Sequence, residues 1–594
     1  MKRLFWLWAL VLVAAAGADE ADGKLRLRIL HTNDMHSRFE EVSKEVGYCS
    51  KLESAVGLCY GGFARLASLV RTARASANAS GEAVLFLNAG DTYQGTKLYS
   101  HYKASIVIKF LNMLRPDVVS LGNHEFDDKI GGLLPYLNQA NFPVLAANLD
   151  LSLEPDLRAS KRLAKSHVLQ VGGRLVGIVG YLTPETAQLS QPGRVRFLDE
   201  VAAVRAEARR LEERGCHIVI ALGHSGYETD QRIAREVEQV DLVIGGHTNT
   251  FLYGNGRPDE GPDREVPEGP YPTVVTQSSG RKVYVVQAYA YTKYLGDLRL
   301  EFDARGEVSR VGGSPILVDA HVPKDPELEA ELVRWQAPLA SLDDRVVGTT
   351  HVLLDGDEKV CRLAECNLGN LLTDAIIYYN AQLNADFEDR PWTDSAVAIN
   401  QAGGIRASIN LMNDGKVTVN DIITSFPFTT KVYKVQLPGR TLKSVLEWSV
   451  HDRINRSVSL HGGSFLQMSG LQVTYDLAKP VGSRVISARV RCSLCMVPTY
   501  HDLDPNTNYT ILMNDFLYNG GDGFQMFKGL KYQDMNVTID DVVTRYINRT
   551  SPVYVGLEGR ISFVEHATSS AVSHVQRLSL SLLILQFVAF ARFF

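Results

Sequence analysis

The stretch Leu25-Arg-Leu-Arg-Ile-Leu-His-Thr-Asn-Asp-Met-His36 joins a short, largely apolar run to a loop with two ligand-type side chains, Asp34 and His36. The run over residues 25–30 predicts a β-strand. Carboxylate and imidazole groups placed directly after a strand are candidates for metal ligands. Asp-x-His alone is too common to indicate a site, so the rest of the chain decides its meaning.

Four further apolar runs end in loops of the same kind. Each run predicts a strand, and glycine lies beside the candidate ligands in four of the five loops, where it lets the backbone turn sharply. Because ligand sites in α/β sheets form at the carboxyl ends of strands, we expect the five loops to converge. The four runs are residues 83–87 before Asn88-Ala-Gly-Asp91, 118–121 before Gly122-Asn-His-Glu-Phe-Asp127, 217–222 before Gly223-His224, and 240–244 before Gly245-Gly-His-Thr-Asn249.

The combined ligand set mixes carboxylates, imidazoles and amide oxygens. Such a mixture suits divalent ions such as zinc, manganese or iron. One carboxylate, that of Asp91, can bridge two ions, and two bridged ions clamp a phosphoryl group and activate water at neutral pH. A single histidine after a strand is more often structural, but five such loops in series favour a metal site.

The organisation of the chain predicts two α/β domains. Its 594 residues are too many for one hydrophobic core. Strand-like runs alternate with amphipathic stretches such as residues 202–214 over residues 25–322, which predicts a layered α/β domain. Residues 323–345 are expected to form a linker, with a charged helix that ends at Pro338. A second, mixed α/β domain is expected over residues 346–565.

Composition argues against one class of partner. Apolar content of 45% and charged content of 22% are ordinary for a folded soluble protein. The net charge is −5, and Lys and Arg form no block. Binding to a nucleic-acid polymer requires a concentrated basic face, so no such partner is expected.

Both ends of the chain carry targeting signals. Lys2-Arg3, the apolar residues 4–16 and a small-residue cleavage point predict a secretory signal peptide over residues 1–18. At the other end, small residues 568–571, a polar spacer and an apolar tail predict a glycolipid anchor at Ser569, with residues 571–594 removed. A membrane-spanning tail is disfavoured because about 13 apolar residues are too few to cross a bilayer. The expected location is the outer face of the plasma membrane.

Cysteines and sequons agree with export. Short spacings favour loop-closing disulfides, and a zinc or redox role for the CxxC sequence is disfavoured because it has no second copy. Cys216, inside an apolar run, is expected to be a buried free thiol. The predicted pairs are Cys49 with Cys59, Cys361 with Cys366 and Cys492 with Cys495, and the predicted N-glycosylation sites are Asn78, Asn455, Asn508, Asn536 and Asn548.

The five loops resemble the five motifs of calcineurin-type metallophosphoesterases. Residues 28–36 and the whole second region narrow the resemblance to the 5'-nucleotidase family, and among its members to the lipid-anchored ecto-enzymes. The resemblance implies hydrolysis of extracellular nucleoside 5'-monophosphates, AMP to adenosine and phosphate, with two metal ions expected to be zinc. It assigns Asp34, His36, Asp91 and Asn249 to one ion, Asp91, Asn123, His224 and His247 to the other, and His124 with Asp127 to stabilisation of the transition state.

The second domain is expected to hold the nucleotide. Phenylalanines can sandwich a base, a carboxylate can accept from ribose hydroxyls, and arginines can pair with phosphate. Each such residue alone has a common structural explanation, and the resemblance is what singles them out. In place of the family's Asn-Gly-Gly-Gly-Ile-Arg this chain has Asn400-Gln-Ala-Gly-Gly-Ile-Arg406, which puts Gln401 at the base-contacting amide. The implied substrate contacts are Arg362, Gln401, Arg406, Phe428, Phe516 and Asp522.

Two other functions stay open at this stage. One is an apyrase of the same family that acts on ATP and ADP, although such secreted enzymes generally lack the anchor tail. The other is a receptor or adhesion module without activity. The intact ligands of all five loops argue against this second function. The oligomeric state is also open, and a homodimer is compatible with the resemblance.

Overall fold

The computed structural model describes residues 24–340, 345–383, 391–453 and 463–566. The predicted signal peptide, the anchor residue Ser569, the tail from residue 571 and the sequon at Asn455 lie outside these residues. The side chain of Asn78 is also not described. Within the described part of the chain, no helix has the length and apolar character needed to cross a bilayer.

The first domain contains two stacked β-sheets. In the larger sheet the strand order is Val308–Gly313, Tyr294–Phe302, Leu25–Thr32, Ala83–Asn88, Val118–Ser120, Val144–Leu145 and Leu163–Ala164, with Ile316–Leu317 beside Tyr294–Phe302. The strands from Leu25–Thr32 to Leu163–Ala164 run parallel to one another. In the second sheet the order is Thr273–Thr276, Lys282–Val286, Leu242–Ile244, Ile218–His224, Arg174–Leu182 and Ser166–Val171, with its four central strands parallel.

Apolar side chains from both sheets form one core, and helices cover the outer faces. Leu27, Ile29 and Leu87 of the larger sheet pack with Ile220 and Leu222 of the second, all fully buried. The result is a four-layered α/β domain, which confirms the predicted fold class. Its helices are Lys51–Ala55, Phe63–Ser80, Lys97–Tyr102, Ala104–Leu114, Lys129–Gln139, Pro155–Arg158, Thr186–Leu189, Glu200–Glu213, Tyr227–Glu236 and Pro326–Gln336, with 3-10 turns at His124–Phe126 and Ala337–Leu339; a short strand pair joins Leu149–Asp150 to Arg196–Phe197.

The helix Pro326–Gln336 lies where the sequence predicts a linker helix, and it packs on the first domain. Leu328 and Leu332 belong to that domain's core, and Asp325, the N-cap residue, forms an ion pair with Arg71 of the helix Phe63–Ser80. A short stretch outside the described residues, 341–344, separates this helix from the next strand.

The second domain has its own sheets and its own core. A five-stranded sheet has the order Leu466–Ser469, Val397–Gln401, Asn508–Asn514, Lys431–Pro438 and Tyr532–Thr538. A four-stranded sheet follows the order Tyr500–Asp502, Val485–Arg491, Leu471–Tyr475 and Ile561–Phe563, and Val346–Thr349 pairs with Lys416–Thr418. The helices are Glu358–Cys361, Asn367–Gln382, Val419–Ser425, Gly439–Trp448, Asp515–Tyr518 and Ile539–Thr550, with 3-10 turns at Ala402–Gly404, Gly521–Gly523 and Gln525–Phe527.

The structure contains the three predicted disulfides. Cys49 is bonded to Cys59, Cys361 to Cys366 and Cys492 to Cys495, while Cys216 is a buried free thiol. Three of the predicted glycosylation sites, Asn508, Asn536 and Asn548, are exposed.

Candidate metal centre and interdomain cleft

The five predicted loops meet at the carboxyl ends of the parallel strands. Asp34, Asp91 and His247 all have positive φ angles, of 48°, 54° and 80°. Residues other than glycine rarely adopt this backbone conformation. Where they do, the residues cluster at functional sites, and the surrounding structure holds the backbone in place. At Gly90 a Cβ atom would lie 2.6 Å from the backbone nitrogen of Gly122, so only glycine allows the second and third loops to approach this closely.

Asp91 lies at the centre of the cluster. Its Oδ2 atom is 2.9 Å from His224 Nε2, 4.0 Å from His36 Nε2 and 3.9 Å from His124 Nε2. Asp34 Oδ1 is 3.7 Å from His224 Nε2 and 3.9 Å from His36 Nε2. Asp91 thereby belongs to two groups of potential ligand atoms, one with His36 and His124 and one with His224 and His247.

Several lone-pair atoms of the cluster lack hydrogen-bond partners. Asn123 Oδ1, Asn249 Oδ1 and His224 Nε2 are buried without a hydrogen bond, even though Asp91 Oδ2 lies 2.9 Å from the last. Buried polar atoms are normally satisfied, so an unsatisfied set at one place needs an explanation. All three are atoms that ligate divalent cations, and together with the carboxylates they fit a metal centre.

Backbone carbonyls orient two of the histidines. His224 Nδ1 lies 2.7 Å from the carbonyl oxygen of Ala89, and His36 Nδ1 lies 3.2 Å from that of Tyr93. A ring that donates its Nδ1 proton to a carbonyl keeps the lone pair on Nε2. Both Nε2 atoms face the carboxylates, as ligation requires.

The electrostatics of the cluster favour an added positive charge. Burial raises the pKa of Asp34 to about 6. Burial also opposes ionisation of Asp91, but His224 and His124 outweigh it and hold the pKa of Asp91 well below its usual value. Burial opposes protonation of His224, yet Asp91 and Asp34 raise its pKa to about 10. A ligating imidazole must be neutral, so a metal ion would take the place of this proton.

His124 and Asp127 form a hydrogen-bonded pair beside the cluster. His124 Nδ1 is 2.6 Å from Asp127 Oδ2, and Ser190 donates to the other carboxylate oxygen at 2.6 Å. Burial works against the charged imidazole, but Asp127 and Asp91 raise the pKa of His124 above its ordinary value. The pair can therefore present a positively polarised Nε2–H toward the centre.

A buried glutamate that was not among the predicted site residues joins two of the loops. Glu125 accepts hydrogen bonds from the backbone nitrogens of Gly122, Asp91 and Thr92, at 2.6, 3.0 and 2.8 Å. It keeps the loop of Asp91 against the loop of His124. Its position inside the third motif is the only sequence signal for this role.

The second domain reaches the cluster directly. Arg406 Nη2 lies 2.9 Å from His36 Nε2, and the guanidinium lies 5.9 Å from the centre of the Phe428 ring. The Phe428 ring stacks on His124 with 5.8 Å between centroids. The structure thus places two predicted substrate contacts, Arg406 and Phe428, beside the predicted metal ligands.

The remaining predicted substrate residues, Arg362, Gln401, Phe516 and Asp522, all belong to the second domain. Gln401 Oε1 accepts from Asn514 Nδ2 at 2.7 Å, and the Phe516 ring packs so closely on Gly521 that a Cβ atom there would lie 2.4 Å from it. Burial raises the pKa of Asp522 to about 7, with Arg362 and His124 near enough to oppose the rise. The carbonyl of Asp522 accepts from Trp448 Nε1 at 2.9 Å, which holds the turn.

Comparisons with known proteins agree with this geometry. Residues 27–251 match the family model of calcineurin-like phosphoesterases, and residues 346–529 match that of the 5'-nucleotidase C-terminal domain. The chain is 42% identical to Protein 5NUC of Lutzomyia longipalpis, over 93% of this chain and 95% of that one. It is also 42% identical to the 5'-nucleotidase of Homo sapiens, over 93% and 94%.

A solved structure is similar over nearly the whole chain. The crystal structure of a 5'-nucleotidase precursor from Thermus thermophilus has a TM-score of 0.81 and 33% sequence identity, with 91% of this chain and 100% of that chain covered. The similarity therefore extends over both domains.

Proposed function

Because this chain belongs to the 5'-nucleotidase family of calcineurin-like phosphoesterases, which are metal-dependent phosphoric monoester hydrolases, we propose that it hydrolyses extracellular nucleoside 5'-monophosphates, AMP above all. The observation that carries this proposal is the meeting of two sets of side chains in the cleft. Two ligand groups that share Asp91 lie on one side, and Arg406 with Phe428 lies on the other.

Two divalent ions, which we propose to be zinc, would be held by the residues of the five loops. Asp34, His36, Asp91 and Asn249 would hold one ion, and Asp91, Asn123, His224 and His247 the other. When bound, such ions supply positive charge that clamps the phosphoryl group and lowers the pKa of water. The buried, unsatisfied atoms of Asn123, Asn249 and His224 support this assignment.

The chain's own residues would stabilise the charge on the phosphoryl group. His124 would donate from Nε2 to a phosphoryl oxygen, while Asp127 holds the other ring nitrogen in its protonated form. Arg406 and Arg362 would pair with the phosphate through planar guanidinium groups. His124 Nε2 lies 3.9 Å from Asp91 Oδ2, and Arg406 Nη2 lies 2.9 Å from His36 Nε2, so both are beside the proposed metal ligands.

The nucleoside would bind to the second domain. Phe428 and Phe516 would stack on the base, and Asp522 would accept from the ribose hydroxyls. Gln401 would contact the base through its amide, whose oxygen is fixed by Asn514. The substrate would then span the cleft, with its phosphate at the first domain.

The test is a side-by-side assay of AMP, ADP and ATP on the soluble ectodomain. A cleft that fits one phosphate would misplace either the base or the reacting phosphate of ADP, and a displacement of about 1 Å costs on the order of a hundredfold in rate. We expect chelation to abolish hydrolysis of AMP and zinc to restore it. Equal kcat/KM for all three nucleotides would favour the apyrase function, and absence of phosphate release would favour a receptor.

We propose the outer face of the plasma membrane as the location, with a lipid anchor at Ser569. This proposal rests on the sequence of the two ends, which lie outside the described residues. Phosphatidylinositol-specific phospholipase C should release active enzyme from intact cells. Activity that stays on the cells after efficient lipase treatment would contradict the anchor.

A further inference from the structure

Glu358, which the sequence does not single out, lies between the two domains at the metal centre. It is the first residue of the short helix Glu358–Cys361 in the second domain. Both of its carboxylate oxygens accept from Asn249 Nδ2 of the first domain, at 2.9 and 3.1 Å. Oε2 also lies 3.1 Å from Arg362 Nη2. The side chain is only 14% exposed.

The contact determines which way the amide of Asn249 faces. Asn249 is 3% exposed, and its Nδ2 donates to Glu358 while its Oδ1 is buried without a hydrogen bond. The two amide atoms point in different directions from the same carbon. A fixed Nδ2 therefore fixes Oδ1, the atom through which Asn249 would bind a metal ion.

The charge of Glu358 makes this orientation specific. Both carboxylate oxygens face the donor Nδ2 of Asn249, and Oε2 is also paired with the Arg362 guanidinium, 3.1 Å from Nη2. An ionised carboxylate accepts hydrogen bonds and cannot donate them. It can bind the amide nitrogen of Asn249 but not the amide oxygen, so the flipped amide is disfavoured.

The contacts on either side of Glu358 also cross the domain boundary. Asp357 Oδ2 lies 2.9 Å from Arg264 Nη2, and Lys359 Nζ lies 2.9 Å from Glu268 Oε1. Both ion pairs join the second domain to the first. Residues 357–359 thus form one strip of polar contacts with the first domain. Separation of the two domains would therefore remove the carboxylate partner of Asn249.

We propose that Glu358 is a positioning residue: through Asn249 it makes tight retention of one metal ion depend on contact between the two domains. The inference rests on the proposed function, since it takes Asn249 as a metal ligand. Partners of ligating side chains typically change metal affinity about 10- to 100-fold when they are removed. The ion held without Asn249 should be unaffected.

The experiment measures release of zinc to a coloured chelator from the full ectodomain, without substrate. In the wild type we expect two ions per chain. Glu358→Ala should speed release of one ion about 10- to 100-fold and leave the other unchanged. The release rate of Glu358→Gln should lie between those of the wild type and Glu358→Ala. The glutamine amide can accept from Asn249 Nδ2, but it also permits the flipped orientation of the Asn249 amide. Glu268→Ala, which removes the neighbouring contact with Lys359, should release zinc as the wild type does.

A double-mutant cycle separates this role from a general effect on folding or closure. If Glu358 acts through Asn249, then Glu358→Ala should add nothing in an Asn249→Ala background. Additive effects, or wild-type release by Glu358→Ala, would overturn the inference while leaving the two-metal function intact. A wild-type protein that binds fewer than two ions would instead contradict the proposed function itself, and the inference with it.

Discussion

At the scale of single residues, His124, Asp127 and Ser190 form a hydrogen-bonded series. The Nδ1 atom of His124 is bound to Asp127, and Asp127 in turn accepts from Ser190. Removing the negative charge from the middle of such a series leaves the geometry largely in place but no longer favours a protonated imidazole. Replacing Asp127 therefore tests the effect of its charge on His124 separately from its effect on the geometry of the site.

We expect Asp127→Asn to lower kcat for AMP by about 10²- to 10⁴-fold, with little change in KM, because the loss concerns the transition state. Steady-state kinetics of the soluble enzyme measure both constants. Ser190→Ala is the matched control, since it removes one hydrogen bond and leaves the carboxylate, and it should cost much less. A loss below about tenfold for Asp127→Asn would contradict the role of the pair.

The site residues differ in how far the sequence predicts them. Asp34 and Asp91 lie in the loops just after two strands and His224 is the last residue of a third, so their convergence is predictable from the ends of parallel strands. Glu358 follows no such rule, because its partner Asn249 lies in another domain 109 residues away. Only the docking of one domain on the other brings these two side chains together.

At the scale of elements, the first turn of the helix Val419–Ser425 contains a half-buried carboxylate, that of Asp421. The backbone nitrogen and the hydroxyl of Thr418 donate to the same oxygen of Asp421, at 2.7 and 2.6 Å. Burial nevertheless raises the pKa of Asp421 to about 6 from 3.8. An acid with a higher pKa in the folded chain than in the unfolded chain holds its proton more tightly when folded. The free energy of unfolding therefore falls as pH rises between these two values.

Asp421→Asn should remove this decline. The amide oxygen can accept both hydrogen bonds from Thr418, so the helix start is retained. The variant should match the wild type near pH 4 and exceed it by up to about 3 kcal/mol above pH 6. Urea unfolding of the ectodomain at a series of pH values measures the difference. Asp502→Asn, at an exposed position, is the control, and a decline that persists in Asp421→Asn would contradict the role of this carboxylate.

Helices and strands with a clear hydrophobic periodicity are predicted well from the sequence, whereas the elements that they pack against are not. The amphipathic stretch 202–214 forms the helix Glu200–Glu213, and the strand predicted over 25–30 extends to Leu25–Thr32. The helix Pro326–Gln336 shows the limit. Its apolar residues indicate a buried face, but nothing in its own sequence states that this face packs on the first domain.

At the scale of the whole molecule, the two domains would bind different parts of the substrate. The first domain would need only a phosphate, while Phe428 and Phe516 of the second domain would need a base. We expect Phe428→Ala with Phe516→Ala to lower kcat/KM for AMP roughly 10- to 100-fold, from the loss of stacking. Turnover of p-nitrophenyl phosphate, which has no base, should change by no more than about threefold. Parallel losses for both substrates would show that the rings shape the phosphate site instead.

The two domains also have separate cores. Among the described residues, each hydrophobic cluster belongs to one domain, either between Leu25 and Leu339 or between Val347 and Ile561. The contacts across the boundary include ion pairs and hydrogen bonds, such as Arg264 with Asp357 and Asn249 with Glu358, and the stacking of Phe428 on His124. Each half can therefore bury its apolar surface without the other.

A chain cut between Leu339 and Val346 should consequently behave as a split enzyme. Each half alone would lack either the metal ligands or the nucleotide contacts, and because the halves share no buried apolar cluster we expect them to separate at low concentration. Fused to two proteins that bind each other, the halves would regain activity only when those proteins meet. Phosphate release would then report the encounter, which turns a divided active site into a proximity sensor.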